Sequence, residues 1–450
     1  MKNLKKFYAL SFSVLLMFCF WGCTKDKPDL RWEANVLSFY FKGYESYQAV
    51  IEGSSVIVNL PSEAEEDVTQ LVPVVDVSLG ATTYPSLEFL HNFEAPVSFK
   101  VISEDGQNHQ AYTVIVNVQS GFASYKKLSS FTLADGTYSP VFTPYNNRTV
   151  AISNEYVYVT STAPGGDIFW MTNNEGDALS DEKKLSKGSQ GVIAGGTFAL
   201  STVRTSGEAI YASNLAIGGS AVFRVYKWAD RDDPEPKLFF EFPHYGANLR
   251  LGDAITVWGD LSGNGAIVAY NKTSGNTFYK FNVTNGVASP APELIVSEVG
   301  SIGSYGQLTR IDEENCLLTG STIAPALLNP NGALKHAIPP GVMEPGALVG
   351  SSVFTYNKAR YMAAMLYDLA TNIQRLLIYD ISGNDLLATF KSINSSNIAS
   401  RNKFNLVLGE DVPNGNLNLA GSTDFLLKDG KALVVGLAPN SGLVIYEFSK

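Results

Sequence analysis

The sequence is poor in residues that build metal or redox centres. Its 450 residues include three cysteines and four histidines, and no two histidines have the H-E-x-x-H or H-x-H spacing of a shared metal ion. The chain also lacks a P-loop, a dinucleotide-binding fingerprint and a Gly-x-Ser-x-Gly elbow. We therefore expect neither a resident metal nor a cofactor.

Basic residues are scarce as well. Lysine and arginine number 33 against 43 acidic residues, which gives a net charge of −10. Proteins that bind nucleic acids concentrate Lys and Arg against phosphates, so this balance argues against a nucleic-acid partner. Aromatic residues, by contrast, make up 12% of the chain, which is enough to fill a large core and is atypical of a disordered protein.

The N-terminal segment has the features of an export signal. A basic stretch precedes an apolar run over residues 7–21, which is followed by Gly22 and Cys23. The run is shorter than the ~20 residues of a transmembrane helix and suits a secretory signal. Because a small residue directly precedes the cysteine, the segment resembles a bacterial lipoprotein signal peptide. The resemblance implies a signal peptide over residues 1–22, a lipid on Cys23 and a tether over residues 23–30.

The cysteines agree with this interpretation. Cys19 leaves with the signal peptide and Cys23 carries lipid, so the mature chain keeps one free thiol and forms no intramolecular disulfide. That thiol, Cys316, lies in an apolar, strand-like run without a basic neighbour that would activate it. We expect it to be buried and inert.

The mature sequence predicts an all-β protein. No window of a dozen residues has the i, i+3, i+4, i+7 apolar spacing of a helix, whereas short Val/Ile/Tyr/Phe runs alternate with polar residues throughout. Residues 31–119 contain such runs at 55–60 and 71–77, and a hairpin over 97–118 turns at Glu104-Asp105-Gly106. This unit is predicted to be a small immunoglobulin-like β-sandwich.

Two short motifs in this unit match a known group of modules. Ser103-Glu104-Asp105-Gly106 and Tyr112-Thr113-Val114 resemble immunoglobulin-like modules that follow the lipid tether in many Bacteroidota surface lipoproteins. The resemblance implies a spacer or binding module rather than an enzyme.

Residues 121–450 contain apparent repeats of paired strands, 45 to 71 residues apart. The first strands of the pairs begin at Tyr156, Ile210, Ile255, Cys316, Tyr361 and Ala432. This period favours a β-propeller of six or seven blades, with residues 125–133 supplying the strand that closes the ring with the last blade. A larger β-sandwich array or a β-helix is the alternative.

Three segments of this unit resemble a second group of proteins. Residues 225–228 (VYKW), 250–253 (RLGD) and 258–261 (WGDL) are similar to those of a Bacteroidota lipoprotein family of unknown function with a propeller-like C-terminal part. The resemblance implies a fold and a compartment, and it carries no chemistry.

Five residues are candidate ligand-binding positions. Arg250 and Asp253 precede a strand and would face the central opening of a propeller, where they would bind a ligand or pair with each other. Trp170, Trp228 and Trp258 lie near strand ends, where exposed rings would stack on sugars and buried rings would fill the core. The loop residues Tyr145, Tyr245 and Tyr305 present the same choice.

Two similar oxygen-rich segments, Asp260–Gly265 and Asp380–Asp385, are the remaining candidates. Ca²⁺ takes oxygen ligands, but neither segment follows the Asp-x-Asp-x-Asp-Gly pattern, and these residue types also suit tight hairpins. We interpret both as turns.

Together these features predict a lipid-anchored outer-membrane protein, at the cell surface or on the periplasmic face, with a non-catalytic recognition role. The membrane is its anchor, and the candidate ligands are a glycan or a protein of a glycan-uptake assembly. A propeller-type glycan hydrolase or lyase is one alternative, and it requires two convergent acids or an acid–Tyr–Arg cluster. A purely structural scaffold is the other.

Overall fold

The structure, a computed structural model, describes residues 30–450 except 62–63, 65–66, 119–120, 138–145, 181, 245–247, 344–345, 384, 412 and 414–418. The predicted signal peptide and Cys23 lie outside the described residues. Within the described part, no helix is long and apolar enough to cross a membrane.

The N-terminal part is a two-sheet β-sandwich. Its strands are β1 (Val36–Phe41), β2 (Val50–Glu52), β3 (Ser55–Leu60), β4 (Pro73–Val77), β5 (Thr82–Tyr84), β6 (Val97–Ile102) and β7 (His109–Val118), with a 3₁₀ turn at Val68–Gln70. One sheet pairs β1 with β4, and the other has the order β2-β3-β7-β6-β5. The predicted hairpin is β6–β7, and Phe39, Phe41 and Phe99 fill a core made only of residues from this part.

The rest of the chain forms six blades arranged in a ring, and the fourth and fifth blades are joined into one eight-stranded sheet by the Gly320↔Leu348 pair. Their strands are β8 (Ser124–Thr132); β9 (Asn147–Ile152), β10 (Tyr156–Ser161) and β11 (Asp167–Thr172); β12 (Phe198–Ser206), β13 (Ala209–Ile217), β14 (Val222–Trp228), β15 (Lys237–Pro243) and β16 (Arg250–Leu251); β17 (Ile255–Gly259), β18 (Gly265–Asn271), β19 (Thr277–Thr284), β20 (Val287–Ala288) and β21 (Glu293–Val296); β22 (Gln307–Arg310), β23 (Cys316–Gly320), β24 (Ile323–Leu328) and β25 (Leu334–Ala337); β26 (Ala347–Tyr356), β27 (Ala359–Asp368), β28 (Ile373–Asp380) and β29 (Asn402–Gly409); and β30 (Ser422–Lys428), β31 (Lys431–Ala438) and β32 (Gly442–Ser449).

This ring is a six-bladed β-propeller. The first strands of the blades, β9, β12, β17, β22, β26 and β30, contact one another in a closed circle and form the inner strands of blades 1 to 6. The all-β prediction is confirmed, and the blade count is the lower of the two predicted numbers. Of the six predicted first strands, only the one at Ile255 is an inner strand; the other five are second strands.

The ring is closed by β8, the first strand of the propeller sequence, as the sequence predicts. β8 pairs antiparallel with the C-terminal strand β32 along their full lengths, from Gly442↔Thr132 to Ser449↔Ser124. Blade 6 therefore has the order β30-β31-β32-β8 and joins both ends of the propeller sequence in one sheet. Phe122, just before β8, packs on Tyr361 and Phe448 with ring centroids 4.8 and 4.5 Å apart.

Side chains join the inner strands of neighbouring blades. The Val203 amide of blade 2 donates to Thr149 Oγ1 of blade 1 at 2.8 Å. Thr423 Oγ1 of blade 6 donates to Gly350 O of blade 5 at 2.6 Å. Three other junctions have comparable bonds: Arg204 to Ile255 O, Thr256 to Leu308 O, and Ser422 to Val150 O. At the junction of blades 4 and 5, Thr319 of the second strand β23 bonds to Ser351 of the inner strand β26. These bonds satisfy backbone groups that would otherwise be unpaired along the central channel.

Two short helices interrupt blade 5 and were not predicted. α1 (Leu386–Ser392) and α2 (Ile398–Arg401) lie between β28 and β29, and Asp385 caps α1 by accepting from the Leu387 and Ala388 amides. Leu386 and Phe390 are buried in the core below. The insertion therefore rests on the blade through its apolar side and leaves its polar side outward.

The pairing of β8 with β32 predicts that truncating a core side chain of β32 lowers the stability of the protein strongly. Phe448 is fully buried and packs on Phe122, Tyr125 and Phe404. We expect Phe448→Ala to lower the free energy of unfolding by about 3–5 kcal/mol, as for other buried Phe truncations. Denaturant titration measures the change. The matched control Leu427→Ala, on the exposed end of β30, should change it by less than about 0.5 kcal/mol, and an equally small effect at Phe448 would contradict the importance of this contact.

Candidate functional site

Arg250 and Asp253 belong to a buried polar cluster at one end of the propeller channel. Asp253 Oδ1 accepts from Arg148 Nη2 at 2.9 Å and from Arg250 Nη2 at 2.7 Å, and Oδ2 accepts from Arg250 Nε at 2.5 Å. Arg148 also donates to Tyr305 Oη from Nε at 2.8 Å and from Nη2. We call these four residues the Arg148 cluster.

The Arg148 cluster joins blades by way of the segments that enter the inner strands. Arg148 lies on β9 of blade 1, Arg250 and Asp253 precede β17 of blade 3, and Tyr305 precedes β22 of blade 4. Arg148 also lies 5.4 Å from the ring centroid of Phe198 at the start of blade 2. The cluster therefore ties four blades together at the end of the channel where the inner strands begin.

Burial leaves this cluster little capacity for catalysis, although it contains the acid, tyrosine and arginine that a lyase would require. Asp253 is 0% exposed and Tyr305 is 1% exposed. Both Asp253 oxygens accept hydrogen bonds from arginines, so neither is free to contact a substrate. Burial raises the pKa of Tyr305 despite the neighbouring Arg148, so the phenol is a poor base near neutral pH. Of the two alternatives for Arg250 and Asp253, the structure shows the pairing of the two side chains, and Asp253 is too buried to meet a ligand at the surface.

Two of the three candidate tryptophans are also buried. Trp228 is 0% exposed and its Nε1 donates to Ser186 O at 2.7 Å. Trp258 is 3% exposed and its Nε1 donates to Leu308 O at 2.9 Å. Of the two alternatives, the structure shows core packing for both, because each ring fills a blade core and its polar edge is already hydrogen-bonded.

Trp170 is partly exposed but its ring is covered by cations. The Arg231 guanidinium lies 4.3 Å from the centroid and Lys183 Nζ lies 5.4 Å from it. The Tyr156 ring packs edge-on at 5.5 Å. A sugar would have to displace these groups to stack on Trp170.

The most exposed aromatic rings lie elsewhere, and the sequence analysis did not select them. Trp32, Tyr84 and Phe89 of the N-terminal sandwich are 66–68% exposed. Alternation of polar and apolar residues does not separate them from core aromatics, because all three lie outside the regular strand interiors or at a strand end. Among the loop tyrosines, Tyr305 is buried, and Tyr145 and Tyr245 lie outside the described residues.

A cleft opens where the sandwich meets blade 5. It encloses about 360 Å³ and has one wall from the sandwich and one from the region around the helical insertion. We call it the interdomain cleft; its lining residues are Gly43, Tyr44, Glu45, Ser46, Tyr47, Pro61, Asp380, Ser392, Asn394, Asn397, Ser400 and Arg401.

Each wall of the interdomain cleft is held by its own hydrogen bonds. On the sandwich side, Tyr44 Oη donates to Asp67 Oδ2 at 2.6 Å and Glu45 Oε1 accepts from the Gly43 amide at 2.9 Å. On the propeller side, Arg401 donates to Asp380 O at 3.2 Å and to Ser392 Oγ at 3.3 Å. These bonds fix the Glu45 carboxylate, the Arg401 guanidinium and the Tyr44 side chain at the edge of an open cavity.

Buried charges line the base of the interdomain cleft. Arg401 is 8% exposed and Asp380 is 2% exposed, and both lie close to Tyr47 of the opposite wall. Burial raises the pKa of Asp380, although the Ser382 amide and hydroxyl and Arg401 act in the opposite direction. Burial likewise raises the pKa of Tyr47. The base of the cleft therefore combines hydrogen-bond donors and acceptors within a few side chains.

A second cavity lies in the channel at the opposite end from the Arg148 cluster. It encloses about 310 Å³ between the inner strands of blades 2 to 6, and we call it the channel mouth. Arg204, Arg310 and Asp424 are its charged residues. Asp424 accepts the Ile152 and Phe425 amides at 3.0 Å, and burial raises its pKa against the pull of Arg204.

The oxygen-rich segments are local structure. Asp260 Oδ1 accepts the Ser262 amide at 2.8 Å in the β17–β18 hairpin, as predicted for a turn. Asp380 makes the same contact with Ser382, but the chain then enters α1 rather than a hairpin, which corrects the prediction for that segment. Among the residues the structure describes, no group of three His, Cys, Asp or Glu side chains is arranged to hold a metal ion.

Cys316 is fully buried on β23, as predicted. Burial raises the pKa of its thiol to about 12. The thiol is therefore almost wholly protonated near neutral pH, and thiolate chemistry at this position is suppressed.

Two family models match separate parts of the chain. Residues 36–116, the sandwich, match the model described as SGBP, N-terminal. Residues 183–317, within blades 1 to 4, match a domain of unknown function, DUF8500. No curated protein has significant sequence similarity to the chain.

One solved structure shares the fold over most of the chain. A DUF4623 family protein from Bacteroides eggerthii is 17% identical, with a TM-score of 0.61 over 93% of this chain and 98% of its own. A structure of YCF48 bound to D1 peptide is 8% identical over 79% of this chain and 86% of its own, with a TM-score of 0.35. An endo-arabinase from Bacteroides thetaiotaomicron is 10% identical over 72% of this chain and 98% of its own, with a TM-score of 0.34. The first shows a shared fold at low identity.

The Arg148 cluster predicts that the stability of the protein depends strongly on the negative charge of Asp253. In Asp253→Asn, two arginines lose the carboxylate that both contact, and one of them is almost fully buried. We expect a loss of about 3–5 kcal/mol in the free energy of unfolding, as when one partner of a buried ion pair is removed.

Denaturant titration measures this loss against Glu241→Gln, which removes the surface pair with Arg224. The control should change stability by about 0–1 kcal/mol. Equal effects of the two variants would show that the cluster does not hold the blades together.

Proposed function

We propose that this protein is a non-catalytic glycan-recognition protein and that the interdomain cleft is its binding site. The observation that carries the proposal is the composition of the cleft walls: one comes from the sandwich, which matches a glycan-binding-protein family domain, and the other from the propeller. The family match supports a glycan-related context and leaves the ligand to be determined.

The side chains of the interdomain cleft suit sugar hydroxyls. Glu45 and Arg401 offer paired acceptors and donors in a plane, which match two adjacent hydroxyl groups. Tyr44 is partly exposed and its ring lies 6.3 Å from that of Tyr47, so an apolar sugar face has an aromatic neighbour. The volume of about 360 Å³ is within the range of small-ligand sites.

The Arg148 cluster favours this proposal over the hydrolase or lyase alternative. Its acid is buried and doubly paired, and its tyrosine has a raised pKa. A glycosidase instead needs one carboxyl group that exchanges a proton with substrate and a second that attacks or activates water.

We further propose two domains, residues 31–119 and 121–450, held at the outer membrane by a lipid on Cys23 and exposed at the cell surface or the periplasmic face. The signal-like N-terminus supports the anchor, and the sandwich match supports an envelope-associated role. In this arrangement the sandwich separates the propeller from the membrane.

Glycan binding at the interdomain cleft is testable by native affinity electrophoresis through gels containing single polysaccharides. We expect at least one polysaccharide to retard the protein, and Tyr44→Ala and Glu45→Gln to weaken that retardation about tenfold or more, because each removes a direct contact.

Tyr84→Ala is the matched control, since Tyr84 is a highly exposed tyrosine of the same sandwich that does not line the interdomain cleft. Loss of retardation in Tyr84→Ala alone would move the binding site to the exposed aromatic residues. Absence of retardation across a broad panel would contradict glycan recognition and favour a protein partner.

Membrane attachment is testable at the two N-terminal cysteines. Cys23→Ala should shift the protein from the membrane fraction to the soluble fraction, because no acyl chains can be attached. Cys19→Ala is the control and should remain in the membrane fraction, since Gly22-Cys23 is intact. Unchanged fractionation of Cys23→Ala would refute the lipid anchor.

A further inference from the structure

The channel mouth contains a buried arginine that no carboxylate neutralises directly. Arg204 is 8% exposed. Its Nε donates to Ile255 O at 3.1 Å, and its Nη1 donates to Val150 O at 2.9 Å, to Val203 O at 3.1 Å and to Ser422 Oγ at 3.4 Å. Among the described residues it forms no ion pair. A buried cation in this state is unfavourable until an anion or water completes its shell. The bonds to backbone carbonyls and to Ser422 hold the guanidinium in place against the cavity.

A second guanidinium lies at the same cavity. Arg310, at the end of β22, donates from Nε to Asp312 O at 3.0 Å and lies 5.9 Å from the ring centroid of Trp258. It too forms no ion pair within the described part of the chain. The two arginines come from blades 2 and 4, so they approach the cavity from different sides of the ring.

Hydroxyl groups make up much of the remaining polar lining. Thr309 Oγ1 is buried and has no hydrogen-bond partner among the residues described. Thr205 and Thr256 donate to inter-blade carbonyls at 2.8 and 3.0 Å, and their oxygens keep lone pairs that can accept from a ligand. Asp424 can likewise accept from hydroxyls while it holds two backbone amides.

We propose that the channel mouth binds a sugar acid of monosaccharide size, with its carboxylate on the Arg204 and Arg310 guanidiniums and its hydroxyls on the threonines and Asp424. Guanidinium–carboxylate pairing gives the strongest hydrogen bonds available to this set of groups. The cavity of about 310 Å³ is larger than a simple inorganic anion needs. The carboxylate of Asp424 makes a ligand with hydroxyl groups preferable to a bare anion, because Asp424 would repel the latter.

This site is independent of the interdomain cleft, which shares none of its lining residues. Both lie on the face where the inner and third strands of the blades end, since alternate antiparallel strands run in the same direction. Because the two sites share no residues, a failure to detect polysaccharide binding at the interdomain cleft would not contradict the sugar-acid proposal.

Isothermal titration of the purified protein with glucuronate and galacturonate tests the site, with glucose, galactose and inorganic phosphate as comparison ligands. We expect at least one uronate to bind about tenfold or more tightly than its neutral sugar, because only the uronate carries the carboxylate. Bound uronate should also raise the melting temperature. Equal affinity for uronate and neutral sugar, tighter binding of phosphate, or no binding of uronate would each overturn the proposal.

Arg204→Gln and Arg310→Gln should each reduce uronate affinity about tenfold or more. Arg204 also holds inter-blade carbonyls, so Arg204→Gln can fail to fold, in which case Arg310→Gln decides because its side chain is exposed. Arg224→Gln on the outer part of blade 2 is the control and should bind uronate normally. Tyr44→Ala should do so as well, which separates the channel mouth from the interdomain cleft. Unchanged uronate affinity in Arg310→Gln would place the ligand elsewhere.

Discussion

The antiparallel pairing of β8 with β32 is the constraint on which the propeller depends. Six blades arranged around an axis have inner strands whose edges face the channel, and the ring persists only if every junction between blades is made. Five junctions join blades that are consecutive in sequence, but the junction of blades 6 and 1 brings together the two ends of the propeller sequence. β8 completes blade 6 before the chain enters β9 of blade 1. Separating β8 from β32 would therefore release both ends of the propeller sequence. The inter-blade bonds from Thr149, Thr256 and Thr423 then act within a ring that is already closed.

The buried arginines at the two ends of the channel differ in how their charge is compensated. At one end, Arg148 contacts a carboxylate and a phenol oxygen, so its charge is compensated within the protein. At the other end, Arg204 donates to backbone carbonyls and forms no ion pair among the described residues. A closed network of paired groups is what a structural clamp requires, whereas an incomplete one beside a cavity is what a ligand completes. This contrast assigns stability to the first end and recognition to the second.

Much of the fold follows from local sequence, whereas the candidate site does not. Alternation along residues 97–118 and 125–133 predicts the β6–β7 hairpin and the closing strand, because both are set by side-chain period and turn residues. The repeats were assigned to first strands because second strands such as Tyr156–Ser161 are the most continuously apolar: neighbouring blades bury both of their faces. Burial of Trp228 and Trp258 depends on how blades pack, which no local pattern records. The pairing of Arg148 with Asp253 joins residues more than a hundred positions apart and is equally invisible in the sequence.

The unpredicted helices show why the interdomain cleft could not be derived from periodicity. α1 has only seven residues, and its polar outer side and three buried residues give too short a pattern to stand out from the surrounding strands. Yet the segment that carries it reaches the sandwich, where Arg401 meets Tyr47 and forms the base of the cleft. A regular two-residue hairpin between β28 and β29 would leave no second wall there. The insertion therefore turns a simple junction of two β domains into a cavity with aromatic and charged groups, and this step, rather than the propeller itself, creates the proposed glycan site.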